Sequence, residues 1–232
     1  MPSSIISHQA PGLWLKILSP QKIDGTAICI STFVVDLNVI LDYFFPYLYP
    51  FSFRYISHSL LGLIIWTIPL TLVFSMMVSR YVAPLVSRIA KNNFFLFKPL
   101  RYFGFDKFDK LKLKTFNKNF FIVTSYSALI GGITHLLLDL PSHEYIELFY
   151  PWKLIKSWDF FLIILVNQEI IIGERTINVI LTVYELIWVL ETLVGLIISL
   201  YFLRYIKTHN LLETWYKSEE LKEKEYKMEA SE

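Results

Sequence analysis

The sequence predicts an all-α membrane protein: a multi-pass helical bundle with four to five spans. Of its 232 residues, 54% are hydrophobic and 18% charged, against about 45–50% and about 25% in an ordinary soluble chain. Mean hydropathy is +0.47. The charges are also segregated, so that apolar runs of the length needed to cross a hydrocarbon core alternate with a basic block and a charged tail. A net charge of +2 is too small to indicate a nucleic-acid partner. The single cysteine, Cys29, excludes an internal disulfide and a cysteine-rich metal site.

Residues 1–206 are expected to form one membrane domain. Residues 1–18 lack the basic start and apolar core of a signal peptide. Ser7 is placed to cap a short helix with Leu13, Trp14, Ile17 and Leu18 on its apolar face, which predicts an amphipathic segment on the membrane surface with His8 near its start. The first span is residues 25–45, and it carries Asp36, Asn38 and Asp42. A carboxylate inside a span is expensive unless paired, so it faces the bundle interior. Asp36 is the deeper; Asp42 is close enough to the aromatic edge to reach water. The second span, 57–79, opens with Ser57-His58-Ser59 and is interrupted only by Pro69.

Residues 80–118 hold ten basic residues against Asp106 and Asp109, which predicts a cytoplasmic loop near anionic headgroups. The third span, 119–140, ends in His135 and Asp139, four residues apart and therefore on one helix face. Pro141 should end that helix, and His143 follows it. Residues 158–173 are apolar but short and carry Asn167, Gln168 and Glu169, so a half-span or a helix lying on the bundle is expected. The last span, 176–205, contains Glu185 and Glu191, about 240° apart on a helix. One of them is a candidate for a metal or cation path; interfacial solvation or pairing with Arg175 is the alternative. Residues 207–232 are a charged tail.

With the basic block on one side, His58 begins its span, and His135 and Asp139 end theirs, at the other membrane face. His8, His58, His135 and His143, together with Asp36 and Asp139, form the candidate ligand set. Neutral imidazole and carboxylate suit Zn²⁺ or a similar divalent ion. Two or three such ions would acidify a bound water and clamp a phosphate.

Ser7-His8, Val35-Asp36, the run Arg54-Tyr-Ile-Ser-His-Ser59, His135-Leu-Leu-Leu-Asp139 and Pro141-Ser142-His143 resemble the multi-pass proteins described as membrane-bound metal-dependent hydrolases. That group includes the YdjM-like proteins and a related family of unknown function. The ligand order is distantly similar to that of zinc-dependent phospholipase C and the S1/P1 nucleases. The resemblance implies His8, Asp36, His58, His135, Asp139 and His143 as metal ligands, with Asp36 and Asp139 also catalytic. It implies Arg54 as the substrate-binding residue, Zn²⁺ as cofactor, and a phosphoester, small or lipidic, as substrate among membrane lipids. The chain departs from the pattern at Val35, where proline is usual, and at Phe53, where histidine is common. The His-x-x-x-Glu pair of the soluble enzymes is matched only by His209 and Glu213, beyond the last span. Two rival readings are a non-enzymatic protein with a structural metal or polar cluster, and an ion-coupled transporter using Asp36, Glu185 and Glu191. A shared site requires His58, His135 and Asp139 to meet, and His8 to fold back toward them.

Overall fold

The computed structural model describes residues 4–45, 52–111, 113–142, 147–152, 159–172 and 175–215. Nine helices and one two-stranded sheet are present among the described residues: α1 (Ser4–Ser7), α2 (Gln9–Leu18), α3 (Gly25–Val35), α4 (Asn38–Phe44), α5 (Phe53–Ser57), α6 (Leu60–Lys91), α7 (Lys98–Tyr102), α8 (Lys118–Ser142), β1 (Ile164–Ile172), β2 (Arg175–Thr182) and α9 (Val183–Thr208). The expected fold class stands. Among the described residues, four helical stretches are long and apolar enough to cross a membrane: Gly25–Phe44, Leu60–Lys91, Lys118–Pro141 and Val183–Thr208.

The first of these is broken in its middle. Asp36 and Leu37 close tight i→i+3 bonds to Phe33 and Val34, and the chain turns there before α4 begins. The α6 helix is continuous but widens to π-turns at Leu63–Thr67 and Val78–Val82. Each π-turn precedes a proline, Pro69 or Pro84, and contains the residue four back, Ile65 or Arg80. A proline ring collides with that carbonyl and gives it no donor, so a wider turn relieves the clash.

Close helix approach is built from small residues, as expected where lipid removes any hydrophobic preference between helices. A Cβ at Gly131 of α8 would stand 2.1 Å from Ser31 Oγ and 2.7 Å from Ile28 O of α3, and one at Gly132 would stand 2.5 Å from Leu63 Cδ2 of α6. Down α6, Thr67, Thr71, Ser75 and Ser79 recur every four residues as one buried stripe. The α8 helix can therefore sit tightly between α3 and α6, one turn before His135.

At the other end of the bundle, Asp24 caps α3 through Thr26 N and Ala27 N and pairs with the Lys114 ammonium. Its own amide donates to Ser127 Oγ of α8 at 2.9 Å. The basic stretch lies at this end. The α6 helix runs on to Lys91, so Arg80 and Arg88 are helical rather than part of a loop; α7 and short 3₁₀ turns at Phe95–Phe97 and Phe105–Lys110 follow.

Three expectations need correction. The described residues of the stretch 158–173 contain no helical span; Ile164–Ile172 is a strand, paired antiparallel with Arg175–Thr182. Its run of Ile and Val is β-branched, and the strand length is ordinary. The last span accordingly starts at Val183, where Thr182 and Glu185 form a capping box. The N-terminal helices pack against two of the long apolar helices. The α2 helix buries Ala10, Gly12, Leu13 and Lys16 against α3 and α9, whereas Trp14 and Leu18 are more than half exposed. Its N-cap position is His8 rather than Ser7, with no capping side chain.

Candidate metal centre

The helix break places Asp36 at the C-terminus of α3, facing the ends of two other helices. His58 is positioned from the opposite side. Ser52 and Asp42 cap the short α5: Asp42, partly exposed, accepts from Phe53 N at 2.8 Å and Ser52 Oγ at 2.8 Å, so it also anchors a turn. His58 then closes α5, its amide bonding Arg54 O at 2.9 Å, and Ser59 caps the start of α6. His135 and Asp139 come from successive turns of α8.

One ligand atom from each of Asp36, His58, His135 and Asp139 falls within a group spanning no more than 4.8 Å. His58 Nε2 is 3.3 Å from both Asp36 Oδ1 and Asp139 Oδ2. His135 Nε2 is 3.5 Å and 3.1 Å from the same two oxygens. The His135, Asp139 and His58 side chains are 0, 1 and 5% exposed, and Asp36, at 18%, is the open edge.

The donor set fits a divalent ion. A tetrahedral ion with ligand bonds of about 2.0–2.2 Å has ligand–ligand edges of about 3.3–3.6 Å, close to the four imidazole–carboxylate edges here. Ser57 Oγ lies 2.8 Å from His58 Nδ1 and so holds the ring by the nitrogen that faces away from the two carboxylates. Its Nε2 faces both carboxylates, an arrangement that a divalent cation would balance.

His8 does reach this centre. It is buried, and its Nδ1 lies 3.1 Å from His135 Nδ1 and 3.9 Å from Asp139 Oδ1. It stands behind His135, outside the group of four. The buried Nη2 of Arg54 has no hydrogen-bond partner among the described residues. His143 lies outside the described residues. His209 and Glu213 are at the other end of the bundle: His209 packs on Tyr205, and Glu213 pairs with Lys107 at 2.7 Å. Glu185 is committed to its helix cap, whereas Glu191 lines a cavity together with His8. The roles of Ser57 and of the Gly131-Gly132 pair were not read from the sequence; a hydroxyl next to His58 and paired glycines one turn before His135 were the available signals.

Residues 6–211 match the family model described as YdjM inner membrane protein. The chain belongs to the YdjM inner membrane protein family. The matched stretch contains His8, Asp36, Arg54, His58, His135 and Asp139. Neither the curated proteins nor the solved structures give a match. Membership and the four apolar helices identify an integral membrane protein. The family description names a location and no reaction, so any chemistry must be argued from the site.

Proposed function

We propose that this protein is a membrane-bound metal-dependent hydrolase of a phosphoester. The observation that supports it best is the convergence of Asp36, His58, His135 and Asp139, from three separate helical segments, on one sealed cluster with a single open edge. A divalent ion held there, Zn²⁺ on the imidazole–carboxylate donor set, supplies Lewis acidity that polarises a phosphoryl oxygen and acidifies water.

The chain's own residues do the rest. His58 and His135 offer neutral nitrogens, and Asp139, fixed one turn from His135, holds the closed side. Asp36 at the open edge orients a water toward the phosphorus. Arg54, four residues before His58 and carrying a buried guanidinium nitrogen with no hydrogen-bond partner among the described residues, pairs with the phosphate and neutralises its charge. Burial of the centre within the spans favours a substrate that resides in the membrane, and the ten basic residues favour a cytoplasmic location for the far end.

A structural metal centre is the second reading, favoured by the near-complete burial of three of the four groups, since structural zinc sites are closed by protein ligands. The test is metal analysis of the purified chain in detergent, with a phosphodiester assay on lipid vesicles and on a soluble phosphodiester. Bound metal with turnover abolished by His135→Ala and Asp139→Ala supports the hydrolase. Bound metal without turnover of either substrate supports the structural centre, and no bound metal rejects both.

A further inference from the structure

Glu191 lies in the middle of a span and has no role in the centre described so far. Along α9 it is followed at four-residue steps by Gly195 and Ser199, so the three share one face. That face meets the N-terminal segment. A Cβ at Gly195 would stand 2.6 Å from Ser7 O, and Ser199 Oγ donates to Ile6 O at 2.9 Å. The same stripe that pins the backbone just before His8 thus brings Glu191 to a cavity of about 350 Å³ that His8 also lines. The other walls are mostly apolar, among them Pro11, Leu138, Leu190 and Val194. A carboxylate in such surroundings inside a membrane is retained where it has a polar task.

We propose that Glu191 is a positioning residue of the metal centre, acting through His8. His8 directs Nδ1 at His135, which turns its Nε2 edge away from the cluster. The relay requires His8 Nε2–H to donate to the Glu191 carboxylate across the cavity that both line; His8 Nδ1 is then an acceptor and takes the Nδ1 proton of His135. His135 Nε2 is thereby left with a lone pair facing Asp36 and Asp139. The relay Glu191–His8–His135 fixes the tautomer that offers His135 Nε2 to an ion. The assignment rests on the metal-centre reading above.

The test uses the full chain in detergent and Co²⁺ as the probe, with affinity measured by competition against a chromophoric chelator and geometry by the visible spectrum. Glu191→Gln is expected to weaken Co²⁺ binding about 10- to 100-fold and to shift the spectrum, with Glu191→Asp recovering part of the loss. His8→Gln should give a similar loss, and the double variant should be no weaker than His8→Gln alone, because both act on one relay. Wild-type affinity and spectrum in Glu191→Gln would overturn the assignment, as would additive losses in the double variant. A wild-type chain that binds no ion would instead bring down the metal-centre reading itself.

Discussion

His8 and His135, 127 positions apart, meet Nδ1 to Nδ1 at 3.1 Å with their rings edge-on. The contact ties the start of the chain to the turn of α8 that supplies two cluster residues. It depends on α1 and α2 packing along α9. One imidazole of the candidate centre is therefore oriented by another that does not belong to the group of four.

Ion binding should be readable as stability. At a free ion concentration a hundredfold above Kd, binding to the folded state adds about 2.7 kcal/mol. A strong chelator is expected to lower the thermal midpoint of the wild-type chain and to leave that of His135→Ala or Asp139→Ala unmoved. Equal chelator shifts in all three proteins would remove these residues from the centre.

The two adjacent glycines of α8 should differ. Gly131→Ala drives a methyl into Ser31 Oγ and the backbone carbonyl of Ile28, which cannot rotate away, and overpacking of this kind costs about 1–3 kcal/mol. Because α3 carries Asp36 at its end, ion affinity should fall as well. Gly132→Ala meets the far end of Leu63, a side chain that can turn, so its loss should be the smaller of the two. Denaturation midpoints and ion titrations of both variants check the order.

The Asp24–Lys114 pair at the opposite end should make stability sensitive to acid. Burial alone would raise the Asp24 carboxyl, but the Lys114 ammonium outweighs it and holds the group below its ordinary value of 3.8. The folded state thus binds its proton less readily than the unfolded one. The contribution is complete above the ordinary value and fades as pH falls from there through the lower folded value. Lys114→Met, which strands the carboxylate, should cost about 3–5 kcal/mol at neutral pH. Asp24→Asn should flatten the acid limb in that window; an unchanged limb would place the acid sensitivity elsewhere.

Arg54 should separate substrate binding from ion binding. A hydrogen bond to a charged group contributes about 1.5–3 kcal/mol, so Arg54→Ala should lower kcat/KM by about ten- to a hundredfold while metal content stays at the wild-type level. Arg54→Lys keeps the charge but loses the planar fork and should recover only part of the activity. A drop in metal content with activity would mean that Arg54 supports the cluster itself.

Much of this architecture is local and hence legible. The apolar runs declare the four spans because their length and composition are fixed by the hydrocarbon core they cross. His135 and Asp139 share a face because one helical turn separates them. The stretch 158–173 was read wrongly because a short apolar run does not distinguish strand from helix by periodicity; its β-branched residues, broken by Gly173 before a second such run, were the better guide. The Asp36 break could not be read either, since one aspartate after valine does not specify a tight turn.

The sequence by itself determined the solvent, the spans and the kinds of ligand atom buried within them: imidazole and carboxylate, with Cys29 the single thiol of the chain. Only the tertiary structure decided which of those atoms converge. It joined Asp36 and His58 to the α8 pair, put His8 behind His135 and Glu191 on the cavity that His8 lines, and sent His209 and Glu213 to the far end. The physical reason is the range of the interactions. Spacing along a helix fixes neighbours within a turn or two, whereas contacts across more than a hundred residues are set by how closely Gly131, Gly132 and Gly195 allow whole helices to approach.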